Sequence, residues 1–210
     1  MIPTIIAFLP VLLLLGVSEL LWRSKILKGE VARKSLHIII GSYVAVWPIF
    51  LTFEYIEILS VCLFVGVALS HYFKIFHAIL DIRRRSWGDL YYAVGIGITA
   101  FISNNPWIFS IAMLHMSLGD GFAGLIGNKF GKKNRYKIFG QTKSIIGSAT
   151  FYFVSLLILL ILAPYYTSQS LGLIFLTVPL VATLTENIGI RGSDNILVPL
   201  SVVLMLNMYL

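Results

Sequence analysis

The sequence predicts an all-α fold: a polytopic integral-membrane helix bundle of about seven or eight transmembrane helices, formed by one domain over residues 1–210. Three observations carry this reading. The chain is 58% hydrophobic, and its mean hydropathy of +0.91 lies outside the range of water-soluble domains. Its 16 Lys and Arg residues all fall in four short segments, 23–34, 74–85, 129–143 and position 191, with apolar sequence between them. If each apolar stretch crosses a bilayer, every basic segment lands on the same side. The preference of Lys and Arg for cytoplasmic loops makes that side the cytoplasm.

Taken in order, spans are expected near 2–21, 36–53, 56–73, 88–103, 107–127, 145–163, 171–188 and 195–210. The first has about 20 apolar residues, enough for a hydrocarbon core near 30 Å thick. It has neither a basic segment before it nor a small-residue cleavage site after it, so it reads as a helix that stays in the membrane. The cytoplasmic connections are then 22–35, 74–87, 128–144 and 189–194, and both termini face outward. The opposite side has only Glu54-Tyr55, the Asn104-Asn105-Pro106 turn and the segment 164–170. The fourth and eighth spans are short: 13–16 residues rise only about 20–24 Å. They are expected to tilt, to be partly re-entrant, or to sit where the bilayer thins around a cavity.

The net charge of +7 is explained by topology and by anionic lipid, so nucleic acid is not an expected partner. Cys62 is the only cysteine, which excludes an intramolecular disulfide and a thiolate metal site. It sits in an apolar run as a packing or membrane-facing residue.

Polar residues concentrate near the basic segments. Glu30, Arg33, Lys34, His37 and Gly41 recur at offsets of three, four, seven and eleven, which places them on one helix face. Snorkelling at the interface accounts for Lys34 alone, but His37 lies a turn deeper, among Leu36, Ile38, Ile39 and Ile40. The run Arg83-Arg84-Arg85-Ser86-Trp87-Gly88-Asp89-Leu90-Tyr91-Tyr92 joins three guanidiniums, which suit phosphate oxygens, to a carboxylate and an aromatic belt. A basic run beside a membrane also serves as an orientation signal, and the tyrosine pair as an interfacial anchor. Asp89 and Tyr91 are the candidate functional residues there.

Asp120 is the sharpest single residue, because a charge inside a transmembrane segment is costly and marks a functional site by default. Small residues surround it, and Gly127, Lys129, Gly131, Lys132, Lys143, Ser144 and Gly147 follow. An acid, glycines, clustered lysines and a Lys-Ser pair suit a metal–nucleoside triphosphate, with the carboxylate on Mg²⁺ and the lysines on phosphate. The order and spacing of a Walker A loop are absent. Glu186-Asn187 and Asp194-Asn195 flank a turn with Gly189, Arg191 and Gly192, and offer oxygen ligands at the membrane boundary. Capping of the last helix is an alternative role for Asp194 or Ser193. His71, His77 and His115 show no convergent ligand spacing and read as interfacial or packing residues, and Glu19 is placed to pair with Arg23.

In this order the segments resemble the family of CTP-dependent lipid-alcohol kinases: dolichol kinase, phytol kinase and CTP-dependent diacylglycerol kinase. The face Glu30-x-x-Arg33-Lys34-x-x-His37-x-x-x-Gly41 is similar to that family's first motif. Trp87-Gly88-Asp89-Leu90-Tyr91-Tyr92 resembles its Gly-Glu-Leu-Tyr-Tyr element, with Asp89 replacing Glu. Asp120-x-x-Ala123-x-x-x-Gly127-x-x-x-Gly131 and Lys143-Ser144-x-x-Gly147 are similar to its proposed CTP-binding motif, and Glu186-Asn187 with Asp194-Asn195 before Val198-Pro199 to its final element. Two departures stand out: Ile146 occupies a position where the family usually has Glu, and the gap from Gly131 to Lys143 is longer than usual.

The resemblance implies transfer of the terminal phosphoryl of CTP to the hydroxyl of a membrane lipid alcohol, phytol- or polyprenol-type or diacylglycerol, at the cytoplasmic membrane face. On this reading Asp120 and Glu186 or Asp194 bind Mg²⁺, Lys143 and Lys129 hold phosphate, and His37 or a carboxylate orients or deprotonates the acceptor. Asp89, Asn187 and Asn195 complete the nucleotide-binding candidates. Two alternatives stay open: a CTP:phosphatidate cytidylyltransferase-like enzyme, whose expected Lys-Arg…Lys-Asp ending is missing, and a small membrane transporter.

Overall fold

The structure is a computed structural model, and it describes residues 2–73, 75, 77, 86–103, 105–166 and 172–209. The expected arginine cluster Arg83-Arg84-Arg85 lies outside the described residues. Helices α1 (Ile2–Arg23), α2 (Gly29–Val44), α3 (Phe53–Phe73) and α4 (Gly88–Ile102) form the first half. Helix α5 (Pro106–Leu114) then runs through a π-helical turn, His115–Gly119, into α6 (Asp120–Phe130) as one continuous rod. A two-stranded ribbon follows, β1 (Arg135–Ile138) and β2 (Gln141–Ser144), and then α7 (Ile145–Tyr166), α8 (Ile174–Ile188) and α9 (Asp194–Asn207). Among the described residues this makes eight helical rods, the all-α membrane bundle that the hydropathy pattern predicts.

The rods differ in how they meet their surroundings. Within Pro106–Lys133 the most apolar stretch is 67% buried by protein, against 22–28% for α1, α3 and α7. The three outer helices instead expose long apolar faces, such as Ile5, Leu9, Leu13 and Leu20 of α1. In water such faces would be untenable; in a bilayer they are the lipid-facing surface. The central rod separates two apolar cores. One joins Ile111, Phe151, Leu159, Val178, Val198 and Val202, and the other joins Val11, Val44, Trp47, Ile56, Phe109 and Met113.

One expected boundary is corrected. The span placed at 36–53 is not a single helix: α2 begins at Gly29, ends at Val44, and is followed by a 3-10 turn at Trp47–Ile49. Pro48 lies in that turn and cannot supply the N–H needed to extend α2. The earlier start draws Glu30 and Arg33 into the helix and aligns them with His37.

Helix length positions the site. With 16, 15, 15 and 14 residues, α2, α4, α8 and α9 each rise only about 21–24 Å, less than a ~30 Å hydrocarbon core. The start of α2, the end of α8 and the start of α9 all border one polar cavity. The short helices therefore leave a depression at one membrane face instead of a pore.

The ribbon closes that depression, and it was not anticipated. Its two-residue turn, Phe139-Gly140, has positive φ at both positions (45° and 75°), the twist that matches a tight antiparallel hairpin. Tyr136 pairs with Lys143 across the ribbon, so their side chains share one face. Tyr136 Oη donates to Asn187 Oδ1 at 2.5 Å, and Lys143 pairs with Glu186. Adjacent residues of α8 thus anchor the ribbon. The long gap from Gly131 to Lys143 is the space this hairpin fills.

Close packing of α4 on α9 is a direct requirement: a Cβ on Gly95 would overlap the backbone carbonyl oxygen of Asn195, whereas one on Gly16 of α1 would meet nothing within 4 Å. Gly95→Ala is expected to lower the unfolding temperature in detergent, at a cost of about 1–3 kcal/mol of overpacking. Gly16→Ala should leave it unchanged or raise it, since alanine is the better helix former by about 1 kcal/mol. Equal thermal stability of the two variants would contradict this packing.

Candidate active site

The site grows from the central rod. The π-turn ends at Gly119, packed against the Phe151 ring, and the next residue is Asp120. Extra-wide turns of this kind inside α-helices are frequent at functional sites. Asp120 is 6% exposed, in an otherwise apolar stretch, so its charge requires partners. Helix α2 supplies them. Lys34 Nζ lies 2.5 Å from Asp120 Oδ2 and 3.3 Å from the Asp120 carbonyl oxygen. One turn later, His37 Nε2 is 2.8 Å from the Met116 carbonyl and 3.4 Å from Asp120 Oδ2. A carbonyl only accepts, so His37 carries its proton on Nε2 and donates it to Met116. Gly124 lets the Lys34 chain lie flat on α6, since a Cβ there would crowd Lys34 Cε at 2.7 Å. At the helix start Glu30 holds Arg33 through two hydrogen bonds, of 2.7 and 3.2 Å.

Two more acids arrive from the C-terminal helices. Oxygens of Asp120, Glu186 and Asp194 lie within 4.8 Å of one another, although these residues are far apart in the chain. Glu186 is held by Lys143, which also donates to the Glu186 carbonyl at 2.9 Å. Burial works against the charge on Lys143, but Glu186 and Asp194 outweigh it and raise its pKa above the ordinary lysine value. The ammonium therefore persists throughout the neutral range. Asp194 owes its place to the turn before α9. Gly192, at φ 97°, approaches the Gly88 backbone so closely that no side chain fits. Trp87 N–H donates to the Arg191 carbonyl at 3.0 Å, and Asn195 Nδ2 donates to the Gly88 carbonyl at 2.8 Å.

Around this cluster opens a cavity of about 1200 Å³, lined by seven cations (Lys28, Arg33, Lys34, Lys129, Arg135, Lys143 and Arg191) and four carboxylates (Glu30, Asp120, Glu186 and Asp194). The surplus of positive charge, with backbone of Gly127 and Gly147 in the wall, favours a polyanion. Ser144 Oγ accepts from the Gly147 N–H at 3.0 Å and so caps α7. Asn195 Oδ1 is buried in the same wall with no partner among the described residues.

Of the residues singled out from sequence, Glu30, Arg33, Lys34, Asp120, Gly127, Lys129, Lys143, Ser144, Gly147, Glu186, Asp194 and Asn195 line this cavity. His37 reaches it through Asp120. Gly131 packs on Ser144, and exposed Lys132 is outside the wall. Asn187 Oδ1 accepts from Tyr136 of the ribbon and from Ser148 of α7, and Ile146 also stands apart from the wall. Asp89 is elsewhere: it pairs with His71 beside a second, apolar cavity. From sequence His71 reads as an interfacial or packing residue. No local spacing reveals its partner, which lies on the next helix. Lys28, Arg135 and Arg191 were likewise hidden among topology-setting charges, whereas Glu19 pairs with Arg23 at 3.0 Å as the i,i+4 spacing implies.

Breaking one member of a buried ion pair strands the other, a loss of about 3–5 kcal/mol, while replacing both with apolar groups is far milder. Lys34→Met is expected to lower the unfolding temperature more than the double variant Lys34→Met/Asp120→Leu, measured by thermal denaturation in detergent. Additive losses would show that the two side chains are not coupled.

No family model matches the chain, and no solved structure matches it. Among curated proteins it is 30% identical over 190 residues to phytol kinase of Synechocystis sp., covering 87% of this chain and 81% of that one. It is 33% identical over 131 residues to a probable chloroplastic phytol kinase of Triticum aestivum, covering 56% of this chain and 42% of the relative. An uncharacterized protein of Methanocaldococcus jannaschii is 25% identical over 189 residues, 85% of this chain and 93% of its own. At this identity and coverage, the chain belongs to the phytol kinase family of membrane lipid-alcohol kinases.

Proposed function

We propose that this protein transfers the terminal phosphoryl group of CTP to the hydroxyl of a membrane lipid alcohol, at the cytoplasmic face of its membrane. One observation carries the reading: Asp120, Glu186 and Asp194 converge with Lys34 and Lys143 in a cation-lined cavity at the blunt end of an apolar bundle. A water-soluble donor and a membrane-dissolved acceptor meet only at such an interface. The names of the relatives support an isoprenoid alcohol as the acceptor, and the position of the basic segments supports the cytoplasmic face. CTP as donor rests on the likeness of the segments around Asp120 and Lys143 to the CTP-binding motif.

The donor atoms fit Mg²⁺, a hard cation that takes oxygen ligands. Asp120 with Glu186 or Asp194 would hold the ion, and Asn195 Oδ1, with no partner among the described residues, adds a neutral oxygen to the same wall. Held there, Mg²⁺ would supply neutralisation of phosphate charge. Lys129 and Lys143 share the phosphate charge, and Lys34 holds Asp120 in place. Phosphoryl transfer passes through a loose transition state in which positioning and charge neutralisation dominate. His37 donates from Nε2 to Met116, so that nitrogen orients the site and is not a base.

The purified protein, given labelled CTP and phytol, is expected to yield a lipid monophosphate and CDP. Formation of CDP-lipid with pyrophosphate, or no nucleotide-dependent product, would overturn the proposal. Asp120→Asn should lower kcat by about 10²–10³-fold, and His37→Gln by less than about tenfold. Wild-type activity of Asp120→Asn would remove that residue from the mechanism.

A further inference from the structure

A second cavity, of about 90 Å³, lies between the first four helices. Its walls are apolar: Val11 and Leu15 of α1, Leu36 and Ile40 of α2, and Leu63 and Val67 of α3. Its polar groups are Arg33, His37, Asp89 and Tyr92. The Asp89 carboxylate is paired through Oδ2 with His71 Nε2, and the His71 ring stacks on Trp87 with centroids 6.4 Å apart. The His37 ring meets the edge of Tyr92, whose hydroxyl is buried with no partner among the described residues.

Arg33 lines both this slot and the large polar cavity. Its Nε and Nη2 are taken by Glu30, and Nη1 lies beside Gly88 at the start of α4. His37 also belongs to both places, lining the slot while sitting 3.4 Å from Asp120 Oδ2. The partition between a polar, cation-rich chamber and an apolar slot is thus one turn of α2. A reaction joining a triphosphate to a lipid needs this juxtaposition.

We infer that the slot between α1, α2, α3 and α4 is the acceptor subsite, taking the hydroxyl end of a long-chain alcohol with Asp89 as the group that receives its proton. The inference rests on the kinase reading of the polar cavity and deepens it. At ~30 Å³ per water, the slot has room for about three water volumes. It admits the head of the alcohol only, and the remaining chain runs out between the helices into lipid, where its length is not read. His71 acts as a positioning residue, fixing one Asp89 oxygen and leaving the carboxylate turned to the slot. In the transfer the alcohol oxygen forms the new O–P bond and its proton passes to Asp89. The bond from the terminal phosphorus to the bridging oxygen breaks, and the nucleoside diphosphate leaves with that electron pair. The assignment separates Asp89 from nucleotide binding and explains a carboxylate–imidazole pair outside the polar cavity.

The test combines kinetics with labelling of the full-length protein in detergent. Val67→Phe, which fills the slot, is expected to raise KM for phytol by about tenfold or more while KM for CTP stays within about twofold. Asp89→Asn should lower kcat by about 10²-fold or more, with thermal protection by Mg-CTP unchanged. A prenyl alcohol bearing a diazirine near its hydroxyl, irradiated with the wild-type protein, should label residues of α1, α2 and α3 that line the slot. The same change in both KM values for Val67→Phe, full activity of Asp89→Asn, or labelling confined to α7–α9 would overturn the assignment. If the wild type makes lipid monophosphate but the label falls elsewhere, the slot is wrong and the kinase reading stands. Label in the slot with no phosphorylated product would instead keep the alcohol site and sink the kinase reading.

Discussion

A carboxylate buried in the middle rod of a membrane bundle is the constraint on which the rest of this structure depends. Asp120 is tolerable there only because Lys34 reaches it from α2, with His37 beside it. That pairing fixes the rotation of α2 against α6, because the residues that face Asp120 recur at helical spacing. It also requires small residues on the facing helix: a side chain on Gly121 would overlap Ile38, and one on Gly124 would crowd Lys34. Electrostatics and sterics therefore select the same docking. The second pair, Lys143 with Glu186, repeats the arrangement on the other side of the cavity and ties the ribbon to α8.

Helix length turns this pairing into a chamber. Four of the rods are shorter than a ~30 Å hydrocarbon core, and the polar ends of α2, α8 and α9 meet around one cavity. Lys34, Asp120 and Glu186 are buried there in protein. The polar groups gather at that end without tracing a path across the bundle, an arrangement suited to chemistry at an interface and unsuited to transport. The apolar slot beside α2 gives the lipid its own approach from the bilayer.

Much of this was legible in the sequence, for identifiable reasons. A charge in an apolar run is conspicuous, so Asp120 and Glu186 stood out without any partner in view. The face of α2 followed from spacing alone. What stayed hidden depends on contacts between distant segments. The pairing of His71 with Asp89 joins two helices whose register no local pattern encodes, and Lys28, Arg135 and Arg191 resemble ordinary topology signals until the fold closes around them. The ribbon escaped notice because its strands are four residues each and it turns on Phe139-Gly140, a weaker hairpin signal than Asn-Gly. The second span was bounded by hydropathy, while the real helix starts earlier, where Glu30 and Arg33 pair within a polar first turn.

In the proposed reaction one cavity, facing the cytoplasm, binds the nucleotide between the ribbon and α2. Thr142 is an exposed residue of the ribbon in the wall of that cavity, and Cys62 is the sole native thiol. The most direct measurement is therefore labelling of Thr142→Cys in a Cys62→Ser background, in sealed vesicles of known orientation, with a membrane-impermeant maleimide. Labelling from the cytoplasmic side only, slowed by Mg-CTP and unaffected by phytol, is the expected result. Labelling from the opposite side, or a rate indifferent to nucleotide, would contradict it.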